Sequence, residues 1–329
     1  MEANNFNQDY QNKIASKITR ESRLTINTKR NHLIRNNKHL FMFLLGFVLV
    51  YESAHSQDIH KLEPAKNHYK VLQTLNSEPN SERSHLNHIE YPSNMYNSGS
   101  LLYLMVPPEY LNIEQIENLK LTVNPPANSS DQTNAELEFL LEWQNTRTES
   151  QEDRAFKVLA PLGYWPHISL VKSHNRYQSN LEDLFFEGRT ILGEQCKPEI
   201  YPATTKLLEG VTKDMRIMEF TVKYHILRPR PYQLDSNLIP LAQMSTPSFA
   251  SGHTLWAYIQ AFVWSELIPE KRKEFLDLAY EIGESREIMG IHYPSDEEAA
   301  RVLAHKMLSA MFVNPIFRED LKKAKLEWN

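Results

Sequence analysis

The chain has 329 residues, enough for one large domain or two ordinary ones, and its 41% hydrophobic content is enough for a substantial core. Its formal net charge of -5 at pH 7 argues against a broad nucleic-acid-binding surface. Because Cys196 is the single cysteine, no disulfide can form within the chain.

The N-terminal segment has the order of features typical of a secretory signal peptide. Residues 1–39 are rich in lysine and arginine, the uncharged apolar run 40–51 follows, and small residues stand at Ala54 and Ser56. We therefore predict that residues 1–56 are a cleaved signal peptide and that the protein is periplasmic or secreted. Two alternatives stay open, an N-terminal membrane anchor and a buried core segment, although the run is short for a membrane span.

The next segment, residues 57–100, is polar and lacks apolar periodicity, so we predict a flexible leader or an extended arm there. Hydrophobic patterning begins at Leu101, and the predicted domain covers residues 101–329. No stretch after the N-terminal run reaches the length of a transmembrane helix, so the sequence predicts no polytopic membrane segment.

Apolar residues recur at three- and four-residue steps through most of the predicted domain, as in Leu181, Leu184, Phe185, Ile191 and Leu192. Alternating β-branched runs are scarce. The pattern predicts an all-α fold, a single bundle of roughly seven to nine helices. The predicted helical segments are 133–160, 179–195, 203–227, 253–268, 270–289 and 296–313.

Three short motifs follow one another in the second half of the chain, and the first pairs Lys223 with Arg230. A helix would put these residues on the same face. Pro229 and Pro231 disfavour helix before them, so we expect helical geometry to end near Leu227 and Arg230 to lie on an extended exit. Seen alone, two cations at a helix C-terminus are ordinary partners of the helix dipole. Arg228 competes with Arg230 for the anion-binding role.

The second motif is Ser251-Gly252-His253, directly before an apolar stretch. A serine cap and a glycine at a helix start leave free N–H groups that bind anions together with the helix dipole. His253 would then lie beside the anion, where it could donate a proton to a leaving oxygen. By itself this motif also fits a plain helix start with an exposed histidine.

The third motif contains Arg286, Gly290, His292 and Asp296. Gly290 permits a tight approach of the chain, and Ser295 is expected to cap the next helix with Asp296 in its first turn. A carboxylate on one imidazole nitrogen fixes the tautomer and makes the other nitrogen a better nucleophile. The plain alternative is that Asp296 complements the helix N-terminus. Cations, two histidines and a carboxylate in this order favour a site that grips a phosphoryl group and transfers it through a histidine.

The three motifs resemble the signature of the PAP2 superfamily, which contains type 2 phosphatidic acid phosphatases and vanadium haloperoxidases. The phrases that carry the resemblance are Lys-Tyr-His-Ile-Leu-Arg-Pro-Arg-Pro, Pro-Ser-Phe-Ala-Ser-Gly-His-Thr and Ser-Arg-Glu-Ile-Met-Gly-Ile-His-Tyr-Pro-Ser-Asp. Within the superfamily the chain looks most like the bacterial class A non-specific acid phosphatases. The match is strong over residues 200–310 and loose over 101–200.

The resemblance implies a metal-independent acid phosphatase that hydrolyses phosphate monoesters through a phosphohistidine. It implies that His292 is the nucleophile, Asp296 its orienting partner and His253 the general acid. The implied phosphate-binding residues are Lys223, Arg230, Ser251, Gly252 and Arg286.

Two positions depart from the family pattern, Ala250 in place of the usual proline and Ala300 in place of a frequent glycine, and neither removes a functional group. No His/Cys/Asp cluster has metal-ligand spacing, so no metal or other cofactor is predicted; His85 and His88 are interpreted as solvated. The expected partners are small phosphate esters, and a homo-oligomer is compatible with the sequence. A lipid phosphate phosphatase and a vanadium-dependent haloperoxidase on the same fold are the alternatives.

Overall fold

The computed structural model describes residues 62–162 and 177–328, and within these two ranges it contains helices and no strand. The all-α prediction is confirmed. The N-terminal half of the described chain contains α1 (Asn67–Leu72), α2 (Ser98–Leu101), α3 (Ile113–Lys120), α4 (Asp131–Thr146), α5 (Glu149–Asp153), α6 (Tyr177–Leu184) and α7 (Phe186–Leu192). The C-terminal half contains α8 (Pro202–Ile226), α9 (Pro231–Leu234), α10 (Gly252–Leu267), α11 (Arg272–Ile288), α12 (Pro294–Met311) and α13 (Pro315–Lys325).

Helix α10 lies at the centre of the bundle, packed against α8, α11 and α12. Its side chains, from Leu255 to Leu267, are buried all round, as expected of a helix that is apolar on every face. Trp256 and Trp264 are the largest of them. The central position of α10 matters for the site, because the N-terminus of this helix carries Ser251, Gly252 and His253.

Proline and capping residues define the helix ends near the predicted motifs. Helix α8 ends where Leu227 adopts a left-handed conformation with φ 55°, and Arg230 follows in extended geometry. Both features agree with the expected effect of the two neighbouring prolines. Helix α10 begins at the cap Ser251, whose hydroxyl accepts from the Thr254 N–H.

Helix α12 begins earlier than the sequence suggested. Ser295 was expected to cap it, but the cap position is Tyr293 and Pro294 is the first helical residue, which suits proline because that position needs no N–H. Ser295 therefore lies inside the first turn and its hydroxyl is available for other contacts. Asp296 is in the first turn, as predicted.

The predicted helical segment 133–160 is divided. Helix α4 ends at Thr146 and Arg147 after it is extended. Helix α5 begins after the Thr148 cap and continues into a π-helix, Arg154–Leu159. The strong local cap at Thr148, with Gln151 completing a capping box, accounts for the break.

The described part of the predicted leader, residues 62–100, packs against the helical domain. Tyr91 is 2% exposed, and its N–H donates to the Leu227 carbonyl at 2.9 Å while its hydroxyl donates to the Met244 carbonyl at 2.9 Å. Arg83 pairs with Asp131 of α4 at 2.6 Å. A segment that packs through contacts of this kind shows no regular spacing of apolar residues in its sequence, which is why the sequence suggested a leader separate from the domain.

The predicted signal peptide, residues 1–56, lies outside the described residues. Among the helices of residues 62–162 and 177–328, none combines the length and the apolar character that crossing a bilayer requires.

Candidate active site

His292 and Asp296 form the centre of the site. The His292 Nδ1 lies 3.0 Å from the Asp296 Oδ2, and both side chains are buried. The contact depends on Gly290, whose φ of 69° turns the chain after α11, and on the start of α12 at Pro294, which brings Asp296 back over the ring. Asp296 therefore lies within hydrogen-bond distance of His292, as its expected place in the first turn of the helix implied.

The other ring nitrogen of His292 faces Arg230. The Arg230 Nη1 lies 2.9 Å from the His292 Nε2, and a guanidinium can only donate. Nε2 therefore acts as acceptor, and the hydrogen of the neutral imidazole is on Nδ1, where Asp296 accepts it. Burial, together with the positive charge of Arg230, lowers the pKa of His292 well below its usual value. A neutral ring with its lone pair on Nε2 is the form a nucleophile needs.

Asp296 accepts hydrogen bonds from four directions. Besides His292, the donors are Arg228 Nη1 at 2.7 Å, Ser248 Oγ at 2.5 Å and the Tyr293 N–H at 3.2 Å. Burial alone would favour the neutral acid, but Arg228 and the bonds from His292 and Ser248 lower the pKa of Asp296 well below its usual value. Asp296 is therefore a carboxylate with a fixed orientation.

Arg228 does not serve as a further anion-binding group. Its side chain is 1% exposed, lies between Asp296 and Glu136, and stacks on the Tyr293 ring with its guanidinium carbon 3.8 Å from the ring centroid. Of the two candidates after α8, Arg230 faces the Nε2 of His292 and Arg228 holds the Asp296 carboxylate on the other side of the ring.

Lys223 and Arg230 are both tied to the loop before α10. Lys223 Nζ donates to the carbonyls of Pro247 and Ser248 at 2.7 and 3.0 Å, and Arg230 Nε donates to the Thr246 carbonyl at 2.9 Å. Burial, followed by the charge of Arg230, lowers the pKa of Lys223 to about 7. An anion beside these two cations would offset both effects.

At the start of α10, Gly252 lies against a carboxylate. A Cβ built on Gly252 would lie 2.0 Å from the Glu219 Oε1, so no other residue fits there without a shift. Glu219 pairs with Arg216 at 2.6 Å, and both are on α8. From the sequence, Gly252 was expected to let a ligand approach the backbone closely. The structure adds that Glu219 occupies the space that a side chain at position 252 would fill.

His253 and Arg286 complete the site from the side of the π-helix. His253 Nε2 lies 3.1 Å from the Ala160 carbonyl, and Arg286 Nη2 donates to the Ala155 carbonyl at 3.2 Å. Because a carbonyl only accepts, Nε2 of His253 carries a hydrogen. Burial, then the charge of Arg286, lowers the pKa of His253 well below its usual value.

The structure thus brings the predicted residues together, and it adds partners that the motifs did not include. These are Ser248 on Asp296, Glu136 on Arg228, Glu219 beside Gly252, and the carbonyls of Ala155 and Ala160. Ser248 belongs to one of the phrases that carried the family resemblance, so a signal for it was present. Glu136 lies 92 positions before Arg228 in the chain, and no local pattern pointed to it.

A histidine–carboxylate pair among buried cations, held on a helical bundle, is the arrangement that the three motifs predicted. Comparison with known families shows that residues 203–318 match the PAP2 superfamily, the family that the three motifs resemble.

Curated relatives are similar over part of their length. The chain is 34% identical over 138 residues to a non-specific acid phosphatase of Providencia stuartii, covering 41% of this chain and 55% of the relative. It is 28% identical over 149 residues to a non-specific acid phosphatase of Salmonella typhimurium, covering 42% of this chain and 58% of the relative. The chain therefore spans somewhat more than half the length of these relatives.

Among solved structures, a bacterial vanadium-dependent iodoperoxidase is similar at a TM-score of 0.46 and 17% identity, over 74% of this chain and 63% of that chain.

Proposed function

We propose that this protein is an acid phosphatase that hydrolyses phosphate monoesters through a phosphohistidine at His292, without a metal ion. The observation that carries the proposal is the state of His292, a neutral imidazole with Nδ1–H bound by Asp296 and its Nε2 lone pair directed at Arg230. The similarity to curated non-specific acid phosphatases supports the same activity.

In the proposed first step, the Nε2 lone pair of His292 attacks phosphorus, a P–N bond forms and the ester P–O bond breaks. Protonated His253 gives its proton to the leaving alkoxide, which departs as an alcohol. The ring of His292 then carries a positive charge beside the Asp296 carboxylate, which stabilises it.

In the second step, water attacks the phosphoryl group, the P–N bond breaks and neutral His253 takes a proton from the water. The products are inorganic phosphate and free His292. Lys223, Arg230 and Arg286 would bind the equatorial oxygens, whose negative charge is spread in the transition state.

The contact between Arg230 and Nε2 has a consequence for substrate binding. A phosphate dianion competes with the ring nitrogen for the guanidinium, because charge-assisted bonds to phosphate oxygens are stronger than a bond to a neutral imidazole. Binding of the substrate would draw Arg230 onto the phosphate and uncover the nucleophilic lone pair at the same moment.

We also propose that the enzyme acts outside the cytoplasm after removal of residues 1–56. N-terminal sequencing of protein purified from the culture medium or the periplasm should begin at Gln57, and a full-length chain would contradict cleavage.

The direct test is hydrolysis of p-nitrophenyl phosphate in buffer with EDTA, by the wild type and by His292→Ala. His225→Ala is the matched control, because His225 is an exposed histidine on α8. We expect turnover by the wild type and by the control, none by His292→Ala, and an acid-labile, base-stable phosphoenzyme in a rapid quench of the wild type. Absence of turnover by the wild type would refute the proposal, and halide oxidation with added vanadate would favour the haloperoxidase alternative.

A further inference from the structure

Glu136 lies on α4, outside the segment 203–318 that matches the superfamily, yet it reaches the active site. It is fully buried. Its Oε2 accepts from Arg228 Nη2 at 3.3 Å and from Ser295 Oγ at 2.8 Å, and its Oε1 accepts from the Ser295 N–H at 3.1 Å.

Arg228 transmits this contact to the catalytic carboxylate. The Nη1 of the same guanidinium donates to Asp296 Oδ1 at 2.7 Å and to Ser295 Oγ at 2.8 Å. A planar guanidinium held at both nitrogens by two carboxylates cannot rotate, so its position fixes the Asp296 carboxylate opposite the His292 ring. The chain of contacts runs from Glu136 through Arg228 and Asp296 to His292 without a gap.

The polar groups around Glu136 are all donors. Arg228, the Ser295 N–H and the Gln132 Nε2 can only donate to it, and the Ser295 hydroxyl already accepts from Arg228. A glutamine at this position has one acceptor oxygen, so its amide N–H would face either Arg228 Nη2 or the Ser295 N–H, and one of these two contacts would be lost. An isosteric amide therefore does not reproduce the contacts of the carboxylate.

We infer that Glu136 is a positioning residue that sets the orientation of Asp296, and through it the tautomer of His292, so that α4 is part of the catalytic apparatus. Where turnover is measured the inference rests on the proposed function, but the tautomer of His292 can be measured without it.

The test compares Glu136→Gln with Glu138→Gln, an exposed glutamate on the same helix. Burial raises the pKa of Glu136 to about 7, so both variants are compared with the wild type at about pH 8, where the wild type carries the carboxylate even though turnover is below its maximum. We expect kcat of Glu136→Gln to fall on the order of 10-fold or more, because small displacements of a catalytic group are costly. KM should stay within about 2-fold, since the phosphate-binding cations are not in contact with Glu136. Glu138→Gln should behave as the wild type.

The spectroscopic readout is 15N NMR of histidine-labelled protein. The wild type should give the shift pattern of an Nδ1–H imidazole for His292, assigned by its loss in His292→Ala, and Glu136→Gln should give a mixture of tautomers. If the wild type did not hydrolyse phosphate esters, the proposed function would fail while this measurement still decided the role of Glu136.

A double-mutant cycle shows whether Glu136 acts through Arg228. Arg228→Met together with Glu136→Gln should lose no more activity than Arg228→Met alone, because both changes break the same path. A lower melting temperature with unchanged kcat and an unchanged His292 tautomer in Glu136→Gln would overturn the inference and leave Glu136 a purely structural residue.

Discussion

Replacement of Asp296 by asparagine is the most informative change to the site, because it removes one charge while keeping the shape of the side chain. In the proposed mechanism the phosphorylated ring of His292 is positively charged, and its Nδ1 lies 3.0 Å from the Asp296 Oδ2. Taking about 4 Å between the delocalised charges and an effective dielectric constant of about 20, the lost attraction is about 4 kcal/mol. That energy corresponds to roughly a 10³-fold decrease in kcat.

The asparagine also disturbs the tautomer of His292. If its amide N–H faces Nδ1, the ring hydrogen moves to Nε2, where it opposes the Arg230 Nη1 found 2.9 Å away. The nucleophilic lone pair would then be lost. The two effects act in the same direction, so we expect kcat to fall by at least roughly 10³-fold.

The assay is steady-state hydrolysis of p-nitrophenyl phosphate, with circular dichroism to establish that the variant is folded. Asp277→Asn is the control, since Asp277 is an exposed aspartate that pairs with Lys273 on α11. A folded Asp296→Asn protein that keeps more than about one tenth of the wild-type kcat would refute the assigned role of Asp296.

Three further predictions follow from burial and charge. Burial lowers the pKa values of both histidines, so the proposed nucleophile His292 stays neutral down to low pH, while the proposed acid His253 loses its proton as pH rises. We therefore expect kcat to peak below pH 7, and a rate that kept rising from pH 5 to 9 would contradict the assigned roles. Gly252→Ala should lower the free energy of unfolding by about 1–3 kcal/mol in urea titrations, because its Cβ meets Glu219, and the same change should cost less in a Glu219→Ala background; an equal cost in the two backgrounds would refute the clash. Burial raises the pKa of Glu187 to about 8, so the folded state keeps a proton that the unfolded state loses above the ordinary pKa of 4.5, and the wild type loses stability as pH rises between these values. The free energy of unfolding of Glu187→Gln should therefore rise by roughly 3–5 kcal/mol relative to that of the wild type between pH 4.5 and 8. A constant difference between the two proteins across that range would refute this prediction.

The sequence predicted the parts of the site whose geometry is local. Proline placement alone indicated the end of α8 near Leu227 and the extended Arg230, and the expected start of a helix just before Asp296 indicated its contact with His292. These features depend on backbone rules that act over a single turn. Helix α13 was not predicted, although Asn314 as cap and Pro315 as first residue were readable signals.

The remaining partners could not be derived in this way, because they depend on how distant helices pack. Glu136 meets Ser295 across 159 positions, and a glutamate on an amphipathic helix is ordinarily solvent-exposed. Arg228 and Arg230 were indistinguishable by spacing, and only the direction in which each side chain leaves the loop separates them. Residues 62–100 pack through polar contacts and a few scattered buried side chains such as Leu72 and Tyr91, which show no periodicity to recognise.

Two side chains of the site, His253 and Arg286, contact main-chain carbonyls, those of Ala160 and Ala155 respectively. A carbonyl is supplied by any amino acid, so the exposed side chains of this π-helical turn, Phe156 and Val158, can be exchanged as long as the backbone path is kept. The buried residues Ala155, Leu159 and Ala160 are constrained by packing. A scan of single substitutions would find the exposed positions tolerant, whereas a one-residue insertion or deletion would displace both contacts together. At these exposed positions the site constrains the length of the turn rather than residue identity.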